Sequence, residues 1–195
     1  MQLNEHTAIV DNDFTNHLVE CRLPDQQLVD DLIIMFSSLG LSVVMHPLVY
    51  ENELLKDKPR VKLLFDQNVF SKAEFADIFQ GDVGRKVYYI QRVRNLYHSL
   101  MGEEFPALGD KVLTYWVRKR SLGEVHSFAT CLLCDCGIFL SDDGDSKRLK
   151  AHLDRTLIDK VNVYSRQEFM DKFIAESEVK LARKDRQALT HSSST

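Results

Sequence analysis

The chain has 195 residues, 44% hydrophobic and 28% charged, with a formal net charge of −4. That balance supports a folded core and excludes a disordered chain. The net acidity excludes nucleic-acid binding by bulk charge, so such a role needs a local basic patch or metal ions that screen an acidic site.

No stretch approaches the roughly 18 apolar residues of a membrane helix. No basic-then-apolar leader pattern opens the sequence. Cys131, Cys134 and Cys136 are clustered and Cys21 stands apart, a poor disulfide framework that suits a reducing compartment. A cytoplasmic protein with no membrane partner is expected.

Thr7–Val10 reads as a buried strand ending at Asp11, and helical texture follows through Phe14, Leu18 and Cys21. Pro24 restarts the chain. Leu28, Leu32, Ile33, Phe36 and Leu39 recur at helical spacing, with Gly40 as the stop. Leu41–Met45 predicts a second strand, and Leu48–Lys56 a helix after Pro47. Lys62–Phe65 is a short apolar piece. Ser71 with Glu74 resembles a capping box opening a helix through Phe79. Arg85–Leu100 predicts an amphipathic helix whose basic face carries Arg85, Lys86, Arg92 and Arg94. Gly109 opens another helical stretch.

The final third is more regular. Gly123–Cys136 predicts a core helix stopped at Gly137, and Ile138–Leu140 a strand. An acidic turn, Ser141–Asp145, leads into a helix through Leu149 and Leu153. Val161–Tyr164 closes the strands and Glu168–Phe173 begins a last helix. Strands separated by helices imply a three-layer α/β/α fold with a mainly parallel central sheet.

Ligands of such sheets bind beyond the carboxyl ends of the strands. Asp11 and Asp13 follow the first strand, and Asp142, Asp143 and Asp145 follow Ile138–Leu140. Gathered carboxylates repel unless a cation or shared protons offset them, and hard Mg²⁺ or Mn²⁺ prefers such oxygen ligands. Each acidic turn also precedes a helix, so helix capping is the competing reading of each cluster.

These residues carry a family resemblance. Ala8-Ile9-Val10-Asp11-Asn12-Asp13 looks like the first motif of PIN domains. His46–Leu54 looks like the segment bearing the family's second acid, and Gly123–Ala129 the start of the helix bearing the third. Ile138–Asp145 is similar to its strand-then-Thr-Asn-Asp-x-Asp motif, and Val161–Phe169 to the closing strand and helix. The resemblance implies one PIN-like domain over residues 1–180, with a helical segment at 57–112 unmatched in the family and a flexible tail at 181–195.

It implies metal-dependent hydrolysis of phosphodiester bonds, foremost in single-stranded RNA, with Mg²⁺ or Mn²⁺ as cofactor. It assigns Asp11, Glu124 and Asp143 as metal-centred acids and Asp145 to a second metal or a metal-bound water. Glu53 is the second catalytic acid, with Glu51 competing for the place. Ser141, Asp13 and Asp142 support the site. Asp142 departs from the family's common Asn, and Glu124 from its common Asp. Arg85, Lys86, Arg92, Arg94 and the run Arg118-Lys119-Arg120 would meet the phosphate chain, although a solvated helix face is the competing reading. An antitoxin or other regulatory protein is an implied partner, and a homodimer is compatible with the pattern.

Other signals are weaker. The Cys131-x-x-Cys134-x-Cys136 cluster reads as core packing before zinc. His46 and His126 read as buried structural histidines, and Tyr115–Trp116 as core anchors before a base-stacking pair. Two alternatives stand beside the nuclease. One is a non-catalytic PIN-like binding module. The other is a small-substrate metal phosphohydrolase, for which Asp11-Asn12-Asp13 resembles the Asp-x-Asp of haloacid-dehalogenase-like phosphatases.

Overall fold

The computed structural model describes residues 1–54, 58–117, 121–153 and 157–173. The expected Leu48–Lys56 helix therefore ends partly outside the described residues. Arg118–Arg120 and the 181–195 tail lie outside the described residues.

In chain order the elements are β1 (Thr7–Val10), α1 (Asn12–Val19), α2 (Asp25–Ser38), β2 (Ser42–Met45), α3 (Pro47–Asn52), α4 (Pro59–Asp66) and β3 (Ser71–Lys72). Then follow α5 (Phe75–Phe79), α6 (Val83–Met101), a 3₁₀ turn (Gly109–Leu113), α7 (Leu122–Cys134), β4 (Ile138–Leu140), α8 (Gly144–Ala151), β5 (Asn162–Tyr164) and α9 (Arg166–Phe173). The five strands form one all-parallel sheet in the order β3-β2-β1-β4-β5.

Alternation along the pleat sends side chains to two cores. Ile9, Val44 and Phe139 join the cluster that α6, α7 and α8 cover. Ala8, Val10, Val43, Met45 and Leu140 join the opposite cluster, covered by α1, α2, α4 and α9. This is the three-layer α/β/α arrangement, and β1 and β4 are buried on both faces because helices cover both.

The register matters most for the site. Val10 pairs with both Met45 and Leu140, and Leu140 with Tyr164. The residues following these strands therefore emerge at one edge. The chain adds β2 and β3 on one side of β1, then β4 and β5 on the other, so the topological switch lies between β1 and β4.

Two expectations need correction. Ser71 does not cap a helix. Ser71–Lys72 pairs with Val44–Met45 as the edge strand β3, and Asp77 Oδ2 accepts the Glu74 N–H at 2.9 Å to start α5. Gly137 does not stop α7. Asp135 does, in the left-handed conformation at φ 55°, which Asp tolerates better than most non-glycine residues. Gly40 ends α2 as expected, with φ 63°. Among the described residues no helix is long and apolar enough to cross a membrane.

Candidate metal centre

β1 delivers Asp11 to the switch point, where its N–H donates to the Leu140 carbonyl at 3.0 Å. The side chain is 3% exposed. Its Oδ1 caps α1 by accepting the Phe14 N–H at 2.8 Å. Among the described residues its buried Oδ2 has no hydrogen-bond partner. Capping thus accounts for one oxygen and leaves the other over. Burial holds this carboxyl well above the usual carboxylate range; the Ser141 hydroxyl and the Phe14 N–H pull it back, while Glu124 and Asp13 push it up. Ser141 accepts the Asp143 N–H at 3.2 Å and shares a 2.7 Å hydroxyl bond with Ser146. If Ser146 is the donor there, the Ser141 proton is left to face Asp11.

Two glutamates come from other elements. Glu53 ends α3 and lays its carboxylate against Gly123. A Cβ at Gly123 would stand 2.9 Å from Glu53 Oε2 and 3.0 Å from Oε1. Burial, then Asp13 and Asp143, raise Glu53 to about 7. Glu124 occupies the first turn of α7, and its buried Oε2 has no hydrogen-bond partner among the described residues. Burial raises it to about 8; its backbone hydrogen bond opposes the rise, and Glu53, Asp143 and Asp13 add to it. Ser121, at φ 46°, turns the chain into α7, and its hydroxyl donates to Asp145 Oδ2 at 2.7 Å. That bond ties the start of α7 to α8.

Asp143 caps α8, its Oδ1 accepting the Asp145 N–H at 2.7 Å. Asp13 lies at the rim; burial and Asp143 raise it, His17 lowers it and Asp142 raises it. Glu124 and Asp13 thus act on Asp11, and Glu53, Glu124, Asp13 and Asp143 act on one another, which links the five carboxylates electrostatically at the carboxyl edge.

The remaining acids have other partners. Glu51 pairs with Lys72 at 2.7 Å. Asp145 accepts from Ser121 and pairs with Arg148 at 2.7 Å. Asp142 meets His17 Nδ1 at 2.7 Å and accepts the Arg166 N–H at 2.7 Å. The fit to a hard cation rests on the two orphaned, buried carboxylate oxygens of Asp11 and Glu124 and on an all-oxygen donor set. Among the described residues no group of three Asp, Glu, His or Cys side chains forms a ready-made clasp for one ion.

The basic residues of α6 are engaged within the chain. Arg85 donates to the Ile78 carbonyl at 3.1 Å and to Cys134 Sγ at 3.5 Å. Cys134 ends α7, whereas Glu124 begins it, so Arg85 sits far from the acids. Lys86 pairs with Asp110 at 2.7 Å, and Arg94 with Glu104 at 3.6 Å. Arg92 donates to the Tyr88 hydroxyl at 2.7 Å and lies over its ring.

The cysteines are free and buried. Burial pushes the Cys134 thiol up to about 11, so it stays a thiol and packs as core. Tyr115 and Trp116 pack partly against the core and, with Pro106, Leu108 and Lys111, line an open groove of about 610 Å³.

His46, Tyr89 and His126 form a fully buried bridge. His46 Nδ1 accepts the Leu48 N–H at 3.2 Å, so its Nε2 carries the proton toward the Tyr89 oxygen at 2.9 Å. The phenol then meets His126 Nδ1 at 2.8 Å. Burial keeps both rings neutral and lowers His126 to about 3. The bridge links α3, which leads to Glu53, with α7, which carries Glu124.

Sequence reasoning missed His17. Its position four residues after Asp13 places both on one face of α1, a spacing that could have marked it. No protein-family model matches the chain, and no curated protein and no solved structure shows significant similarity to it.

Proposed function

We propose that this chain is a Mg²⁺- or Mn²⁺-dependent nuclease that hydrolyses phosphodiester bonds in single-stranded RNA. The observation carrying this reading is the gathering of Asp11, Asp13, Glu53, Glu124 and Asp143 at the carboxyl edge, where Asp11 and Glu124 each keep a buried oxygen without a hydrogen-bond partner among the described residues. A buried carboxylate without a partner is costly, and a divalent cation removes that cost. The motif resemblance points the same way, and the nuclease assignment and the choice of RNA rest on it.

Asp11, Glu124 and Asp143 are the residues that would hold the ion. When bound, it would supply positive charge to the scissile phosphate and lower the pKa of water. Glu53, raised to about 7, is matched to accept a proton from the attacking water near neutral pH. Asp11 and Asp143 keep their orientation through the caps they make with one oxygen each.

The test is Mn²⁺-dependent cleavage of single-stranded RNA by the wild type and Asp143→Asn. Asparagine still caps α8, so the fold is retained. Equal activity in the two proteins refutes the assignment.

A second reading, a non-catalytic binding module, draws on two observations. The donors form no ready-made clasp, and the α6 cations are engaged within the chain. Calorimetric titration with Mn²⁺ separates the readings, since heatless titration with no cleavage supports the module.

A further inference from the structure

Beside the carboxylates lies a histidine–carboxylate pair that the metal reading does not use. His17 Nδ1 is 2.7 Å from Asp142 Oδ2, across 125 residues of sequence. Asp142 is fixed in turn. Its Oδ1 accepts the Arg166 N–H at 2.7 Å, and Arg166 Nη1 donates to the His17 carbonyl at 2.6 Å. The start of α9 therefore holds the orienting carboxylate, and the carboxylate holds the ring.

An ionised carboxylate only accepts hydrogen bonds, so Nδ1 carries a proton and Nε2 is the working nitrogen. The Asp142 side chain is 15% exposed and that of His17 44%. A sheltered orienter beside an accessible ring is the arrangement that proton transfer requires, because the ring must recover its proton from solvent. His17 shares a helix face with Asp13 and acts on it electrostatically, and Asp13 in turn faces Asp143. Asp142 directly precedes Asp143. His17 thus stands one helical turn from Asp13, and its partner Asp142 is the chain neighbour of Asp143.

We propose that His17 is the general acid of the hydrolysis and Asp142 its positioning residue. The inference rests on the nuclease reading above. As water forms the new bond to phosphorus, the bond from phosphorus to the leaving sugar oxygen breaks. Protonated His17 gives its Nε2 proton to that oxygen, and Glu53 takes the proton lost by the water. Solvent exchange then returns a proton to His17 and removes one from Glu53, so the net reaction is hydrolysis.

A poor leaving group needs that proton and an activated one does not. The experiment compares wild type, His17→Gln and Asp142→Asn on single-stranded RNA and on bis(4-nitrophenyl) phosphate, both with Mn²⁺. His17→Gln is expected to lose about 100-fold in kcat on RNA and under about threefold on the aryl ester. Asp142→Asn is expected to show the same selectivity, less steeply.

Equal losses on both substrates, or no loss on RNA, overturn the assignment of His17 while leaving the nuclease reading intact. No metal-dependent cleavage of either substrate by the wild type overturns both. Nitrogen-15 spectra of the metal-free protein give a readout independent of activity. Neutral His17 is expected as the Nδ1–H tautomer, and Asp142→Asn to lose that preference. An Nε2–H tautomer in the wild type overturns the proposal.

Discussion

Replacing Gly123 with alanine should separate stability from function at the carboxylate site. The new Cβ would stand 2.9 Å from Glu53 Oε2, 3.0 Å from Oε1 and 3.2 Å from Cδ, where ordinary contact begins at 3.4 Å. The carboxylate must then recede by about 0.5 Å, the difference between 3.4 and 2.9 Å. It is the far end of a flexible side chain, so the movement is cheap in folding energy. Alanine meanwhile favours the first turn of α7 by about 0.5–1 kcal/mol over glycine. The thermal midpoint should hold or rise by about 1–3 °C. A misplacement of about 1 Å costs roughly 100-fold in rate, so half that displacement predicts a loss of about tenfold in kcat/KM on RNA. Thermal unfolding and steady-state cleavage with Mn²⁺ read the two effects. In a Glu53→Ala background the Gly123→Ala change should add no further loss. Unchanged activity with a midpoint lowered by several degrees would refute the reasoning, because it would mean that backbone yields rather than Glu53.

Three more outcomes follow from the site. Glu124 is raised from 4.5 to about 8, so the folded state binds more protons than the unfolded state between those values. Its contribution to stability therefore falls as pH rises through that window. Glu124→Gln should stabilise the metal-free protein at pH 8 by on the order of 2–4 kcal/mol. That advantage should vanish near pH 4.5, as urea unfolding across the range would register. Glu53→Gln should depress RNA cleavage at least tenfold, by the usual scale of general-base loss, while Glu51→Gln stays within about twofold; reversed effects would transfer the role to Glu51. Tyr89→Phe strands a polar atom on each of two buried histidines and should cost about 1–3 kcal/mol in denaturant unfolding. A neutral result would show that the bridge carries no net stability.

The elements legible in the sequence are those with local causes. Thr7–Val10 and Ile138–Leu140 are apolar runs long enough to name a buried strand, and Gly40 marks a helix end by its own conformational freedom. β3 was not legible. Ser71–Lys72 is polar and two residues long, and it is a strand only because Val44 and Met45 offer it an edge. The stop of α7 at Asp135 was hidden behind the more obvious Gly137. The spacing of His17 from Asp13 marked a shared helix face, but its pairing with Asp142 was not legible because the two lie 125 residues apart.

By itself the sequence determined which acids follow which strands, since that order is a property of the chain. Tertiary structure decided which of them share a space. The register that pairs Val10 with both Met45 and Leu140 brings their successors to one edge. Glu51 and Glu53 show the division most clearly. They are the same residue type two positions apart, about 200° around a helix. One therefore turns to Lys72 on the sheet's edge strand, and the other to Gly123 and the carboxylates.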